Sequence, residues 1–298
     1  MQIALKVDVD TLRGTRAGVP ALLRSLQQAG AGATFLFSLG PDHTGRAIRR
    51  VFRKGFIGKV ARTSVLEHYG LRTLLYGTLL PGPDIGRRAG EQMRMARDAG
   101  FEVGVHCYDH VAWQDFLARR DAAWIGGQMR HAVERFETVF GAAPRVHGAA
   151  GWQMNAVALE LEERLGFAYA SDTRGSAPFV PLIDGRRGRV PQLPTTLPTL
   201  DELIGLEGLT AGNVHEHLLG ITHASERASE VFTLHAELEG MKLLPVMSRL
   251  LSGWLAQGHE LVSLATLCGG LDLAALPACA VRPGTVCGRS GTLACQQP

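Results

Sequence analysis

The sequence predicts an α/β fold on a parallel sheet, with a (β/α) barrel favoured over an open doubly wound sheet. Short apolar runs alternate with helical patterns along most of the 298 residues, which calls for parallel strands joined by crossover helices. The barrel is favoured by where the chemistry falls. Asp8 and Asp10, His106, Asp172 and His235 close four different apolar runs, and the C-terminal strand ends are where barrels of this class gather their active sites.

The first run, Ile3-Ala4-Leu5-Lys6-Val7-Asp8-Val9-Asp10, reads as a short buried strand. Val19, Leu22, Leu23 and Leu26 then recur at helical spacing, with Pro20 near the start and Gly30 at the end. A second strand is expected over 33–38, a helix over 84–100 leading into a strand over 101–106, and a helix over 124–140 leading into 145–149. Asn155 suits the N-cap of a helix that stops at Gly166. Further strands are expected near 167–172, 189–193, 231–235 and 260–264. From 269 to 298 the chain is rich in Ala, Gly, Pro and Cys and lacks periodicity, so an irregular tail is expected behind a catalytic domain of residues 1–268.

Composition excludes several classes. Hydrophobic residues at 46% and charged residues at 20% are those of an ordinary globular protein and rule out wholesale disorder. A net charge of +3 is too small to imply a nucleic-acid partner. The N-terminus lacks the basic region, apolar run and cleavage site of a secretory signal, so a cytoplasmic location is expected. No uncharged apolar run reaches the roughly 18 residues of a membrane span. Five cysteines without a Cys-x-x-Cys pair read as reduced thiols.

Charge is unevenly spread. Between His43 and Leu66 stand seven basic residues and no acidic one. Arg46, Arg49, Arg50, Arg53 and Lys54 interleave with Phe52 and Phe56 near helical spacing, and Leu71, Leu74, Leu75, Leu79 and Leu80 follow. This basic and apolar insertion, around 43–82, has the pattern of a helix lying on an anionic membrane surface. An ordinary solvated helix is the alternative.

His106 and His110 are four residues apart, a spacing that lets both imidazoles face one side of a helical turn and share an ion. One buried and one surface histidine is the competing reading. Asp8 and Asp10 share a strand face and need a partner, either a metal or the backbone of the Arg13-Gly14-Thr15 loop. His235 ends a further strand, with Glu237 beyond it. Taken together, one carboxylate and two imidazoles make an open three-ligand site, with an aspartate and a histidine left over as base and acid. Metal-assisted hydrolysis requires that set.

These residues resemble the polysaccharide deacetylase family. Its Asp-Asp motif looks like Val7-Asp8-Val9-Asp10 with one residue inserted, its His-Ser/Thr-x-x-His matches His106 to His110 with Cys107 in place of the hydroxyl residue, and Leu234-His235 loosely follows its last motif. One branch, the deformylases of 4-deoxy-4-formamido-L-arabinose-phosphoundecaprenol, is closer still. The strings that carry this likeness include Asp8 to Arg16, Phe37 to Asp42, Asp109 to Gln114, Ala149 to Trp152, Ser171 to Gly175, Leu193 to Thr199 and His235 to Glu237.

The resemblance implies a distorted (β/α) barrel of about seven strands, with Asp8 as general base and His235 as general acid. It implies one divalent ion on Asp10, His106 and His110; zinc, cobalt and manganese all suit such ligands. The implied substrate is the undecaprenyl-phosphate-linked formamido sugar. Its deformylation on the cytoplasmic face of the inner membrane serves lipid A modification and polymyxin resistance. An N-deacetylase of another amino sugar and a non-catalytic metal-stabilised sugar-binding protein are the competing readings. Trp113 and Trp152 are candidates to stack on the sugar, with core packing the alternative, and Asp172 and Glu237 to bind or orient it. Where the wider family has an arginine that orients the base, the chain reads Ala149-Ala150-Gly151-Trp152. Arg174, beside Asp172, is expected to take over part of that role.

Overall fold

A computed structural model of the chain describes residues 1–47 and 70–297. Strand β1 (Gln2–Val9) is buried over almost its whole length, as a strand covered on both faces by a parallel α/β fold must be. Around it stand β2 (Thr34–Ser38), β3 (Glu102–Cys107), β4 (Val146–His147), β5 (Tyr169–Ala170), β8 (Ser229–His235) and β9 (Glu260–Val262). They form one seven-stranded sheet in the order β5-β4-β3-β2-β1-β8, with β9 alongside the first half of β1. All pairings are parallel.

The intervening helices include α1 (Val19–Gln28), α2 (Leu71–Leu75), α3 (Ile85–Asp98), α4 (His110–Phe116), α5 (Ala122–Phe140) and α6 (Ala156–Leu165). The rest are α7 (Leu200–Leu203), α8 (Val214–Ala224), α9 (Leu244–Ala256) and α10 (Leu264–Gly269). Their apolar stripes close the core: Leu22 and Leu26, Met93, Phe136, and Leu250 and Trp254 are all buried. Caps set the boundaries much as expected. Asn155 accepts from Ala158 N at 2.9 Å to start α6, and left-handed Gly166 ends it.

Two expectations are corrected. The strand expected over 189–193 is reduced to isolated bridges at Gln192, parallel to Ala170 and antiparallel to Phe179. Pro191 and Pro194 remove donors that a regular ladder needs, so the barrel closes between β5 and β8 through an irregular segment, with Leu197 N bonded to Val231 O at 3.1 Å. This is where the barrel is distorted.

The tail is also not irregular. β10 (Ala278–Gly284) and β11 (Leu293–Gln297) join β6 (Val180–Ile183) and β7 (Arg186–Arg187) in a second sheet, ordered β11-β10-β6-β7. Cys279, Leu293 and Ala294 are buried there. Bonds from Arg174 N to Ala294 O and from Gln296 N to Arg174 O tie the tail to the barrel. These strands owe their order to partners about a hundred residues earlier in the chain, not to a pattern of their own.

In the basic insertion, Arg49, Arg50, Phe52, Arg53, Lys54 and Phe56 lie outside the described residues. Arg46 lies inside them, its Nε donating to Gly77 O at 2.9 Å. Leu71 and Leu79 are exposed, at 66% and 82%. Among the described residues no helix is long and apolar enough to cross a membrane.

Candidate metal and catalytic centre

The ends of β1, β3 and β8 meet at one point. Asp8 on β1 stands in register with His235 on the adjacent β8. Asp10 follows the end of β1, and the turn after it is held by buried carboxylates. Glu237 Oε1 accepts from Asp10 N at 3.1 Å, Thr11 N at 2.8 Å and Thr11 Oγ1 at 2.8 Å, while Asp42 Oδ2 accepts from Leu12 N at 2.9 Å. Gly14 is required here, because a Cβ would fall 1.9 Å from Glu237 Oε1.

His106 and His110 do not share a helical turn as their spacing suggested. His106 is on β3 and His110 opens α4, so the pair spans a strand end and a helix start; Asp109 between them is the helix cap, accepting from Ala112 N at 3.0 Å. Asp109 also pairs with His43 Nδ1 at 2.6 Å. The two rings still converge. His106 Nε2 is 3.3 Å from Asp10 Oδ1 and His110 Nε2 is 3.5 Å from Asp10 Oδ2. His106 Nδ1 lies 2.5 Å from Gly148 O; a proton on that nitrogen leaves the Nε2 lone pair for a ligand.

These groups fit a divalent cation. Asp10, His106 and His110 offer ligand atoms within 4.8 Å of one another. The buried Oδ1 atoms of Asp8 and Asp10 have no hydrogen-bond partner among the described residues, a costly state that a cation relieves. Burial alone would raise the Asp10 carboxyl, but the charges of His110, His106 and His235 hold it well below its ordinary range. It is therefore ionised, as a ligand must be.

His235 has the character of an acid. Burial would lower its imidazole, yet Asp201, Asp10, Glu239 and Asp8 together raise it. Its backbone N donates to Glu239 Oε2 at 2.7 Å, and its ring stands edge-on to Trp152 with centroids 6.4 Å apart. Burial pushes Glu237 up to about 8 and Glu239 up to about 7.

Several candidates lie elsewhere than expected. Trp113 is 2% exposed and donates to Gln153 O at 2.9 Å; it is core, with no face left for a sugar. Trp152 is also buried, bonded to Thr195 Oγ1 at 3.1 Å, with Lys6, Arg174 and Arg289 over its ring. It underlies the centre and does not line it. Asp172 is fully buried, accepting from Ala149 N and Gln192 Nε2 at 2.7 Å each. It has no surface open to solvent.

Asp172 and Glu162 share His147 Nδ1, at 2.9 and 2.7 Å. Burial would lower His147, but the two carboxylates raise it to about 10. This triad is a second possible ligand set, already satisfied by its own hydrogen bonds and Gln192. Arg174 does not orient Asp8: its Nη1 is bonded to Glu202 at 2.5 Å and its Nη2 to Leu197 O at 3.2 Å. Glu237 is engaged with the Asp10 turn.

The group that does reach Asp8 is Lys6, with Nζ 3.4 Å from Asp8 Oδ2. The sequence carried a signal for it: a lysine inside an apolar strand, two residues before Asp8 and so on the same face.

No family model matches the sequence. A curated relative from Shewanella sediminis, described as a probable 4-deoxy-4-formamido-L-arabinose-phosphoundecaprenol deformylase, is 37% identical over 240 residues, spanning 80% of this chain and 77% of its own. One of the same description from Wigglesworthia glossinidia brevipalpis is 30% identical over 286 residues, 95% of this chain and 98% of its own. Among solved structures, one from Mycobacterium smegmatis, assigned by description to the polysaccharide deacetylases, superposes with a TM-score of 0.64 at 18% identity, covering 95% and 94% of the two chains. A Xyl-CE4 domain of a xylanase from the hindgut metagenome of Trinervitermes trinervoides gives 0.51 at 12% identity, covering 92% and 94%. The fold is thus the deacetylase barrel, and by the identity and coverage of its relatives the chain belongs to the 4-deoxy-4-formamido-L-arabinose-phosphoundecaprenol deformylase family.

Proposed function

We propose that the protein is a metal-dependent amide hydrolase that removes the formyl group from undecaprenyl-phosphate-linked 4-deoxy-4-formamido-L-arabinose. The free amino sugar then serves lipid A modification and polymyxin resistance. The observation that carries this reading is the convergence of Asp10, His106 and His110 beside Asp8 and His235, in a chain whose curated relatives bear that activity in their descriptions.

In this mechanism Asp10, His106 and His110 would hold the ion. When bound, it would polarise the formamide carbonyl and make its water far more acidic than bulk water. Asp8, whose Oδ1 has no hydrogen-bond partner among the described residues, accepts the proton of the attacking water. His235, whose imidazole is raised by the carboxylates around it, gives its proton to the departing sugar nitrogen, so formate and a free amine leave. Asp8 and His235, in register on adjacent strands, are placed to serve the same bond.

A lipid-linked substrate needs the protein at the membrane. Leu71 and Leu79 are exposed within the basic insertion, and Gly70, next to Leu71, lies against the guanidinium of Arg13. They are suited to enter an anionic interface on its cytoplasmic face while Arg46 and the arginines at 49, 50 and 53 meet phosphate. The test of the activity is formate release from the lipid-linked formamido sugar. It is expected with the metal-loaded protein, abolished by chelator and restored by added divalent ion; release that persists through complete chelation would overturn the reading.

A further inference from the structure

We propose that Lys6 is the positioning residue of the catalytic base, an inference that rests on reading Asp8 as that base. Lys6 is fully buried in the middle of β1, where an ammonium is costly unless paired. Its partners define one geometry. Nζ donates to Ser171 O at 2.8 Å, lies 3.4 Å from Asp8 Oδ2 and sits 5.2 Å from the centre of the Trp152 ring.

Two residues apart on one strand, Lys6 and Asp8 present the same face. The ammonium takes one carboxylate oxygen. The other, Oδ1, lies 3.8 Å from His106 Nδ1 and has no hydrogen-bond partner among the described residues. Lys6 thus ties down Oδ2 and with it the orientation of the Asp8 carboxylate. Without it the carboxylate could rotate about its last torsion, which is broad and has no sharp minimum.

The surroundings hold the ammonium in turn. Gly148 lets the lysine stem pass, since a Cβ there would come 3.1 Å from Lys6 Cε and 2.3 Å from Leu36 Cδ1. Trp152 is fixed through Thr195 and lies in a loop where Gly151 and Trp152 both have positive φ, 60° and 51°. A non-glycine residue in that region is held there by its neighbours. The strained loop that carries no cation of its own turns an aromatic face towards the lysine.

The test is Lys6→Met in the cobalt-loaded protein, read by kinetics, cobalt titration, the cobalt absorption spectrum and a crystal structure. Lys6→Gln, which keeps a donor for Ser171, is the second variant should the methionine protein fail to fold. We expect kcat to fall about 100-fold, the scale of a misplaced general base, with KM, cobalt affinity and spectrum unchanged and the Asp8 carboxylate turned from its wild-type position. An unmoved Asp8, a kcat within about threefold of wild type, or a parallel loss of cobalt affinity would overturn the proposal. If wild-type protein releases no formate, the functional reading fails, and the position of Asp8 in the variant crystal still decides the role of Lys6.

Discussion

Replacing Glu237 by alanine tests how the metal-binding turn is held. Glu237 Oε1 accepts two backbone N–H groups, of Asp10 and Thr11, and the Thr11 hydroxyl, in a place where only 2% of the residue is exposed. The hydroxyl can turn to another acceptor; the two N–H groups cannot. Each stranded donor costs about 1–3 kcal/mol, so the ordered turn loses about 2–6 kcal/mol, nearer the lower end if it opens towards water. With about 1.4 kcal/mol for each tenfold change, a loss of about 3 kcal/mol weakens metal binding on the order of 100-fold.

The assay is competition for zinc against a chromophoric chelator, with the Tm of the metal-free protein followed in parallel. Glu237→Gln keeps one acceptor oxygen and should lose only about tenfold, the mild end of the effect expected for outer partners of metal ligands. An alanine variant whose zinc Kd stays within about threefold of wild type would show that Asp10 is placed without Glu237, and the reasoning would fail.

Three further outcomes are expected. Asp8→Asn should lower kcat by about 10²–10⁴ while zinc affinity is retained; a lost zinc site would make Asp8 a ligand. His147 is raised to about 10 in the fold against roughly 6.5 unfolded, so its protonation stabilises fully below about 6.5 and that contribution is lost as pH climbs through the folded value. Urea unfolding at pH 6.5 and 9.5 should therefore show lower stability at the higher pH, less so in His147→Gln; equal slopes would refute the assignment. Leu71→Glu with Leu79→Glu should cut sedimentation with anionic vesicles at least tenfold, since burying each leucine is worth about 1.5–3 kcal/mol. Undiminished binding would remove the docking role.

Much of the centre could be read from the chain because its chemistry interrupts apolar strands. Asp8, His106 and His235 each end such a run, and in a parallel barrel those ends converge. What stayed hidden depended on contacts between distant segments. Asp172 has the same strand-end look, but whether it turns to solvent or to His147 and Glu162 is decided by packing. Trp113 and Trp152 carry no periodicity that separates a core ring from a sugar platform, and burial settles both. Arg174 sits beside Asp172 in sequence yet is drawn away by Glu202. Tail strand β10 pairs with residues 180–182 and with β11, an arrangement no local pattern of Ala, Gly and Pro announces. Lys6 is legible too, because a lone charge in a buried strand marks a partner on the same face.

Anomalous diffraction at the metal edge from crystals grown with cobalt is the most direct test that Asp10, His106 and His110 hold the single working ion. One peak is expected, about 2.0–2.2 Å from a carboxylate oxygen of Asp10 and from Nε2 of His106 and His110. A peak at His147, Glu162 and Asp172 instead, or none in protein that still releases formate, would contradict it.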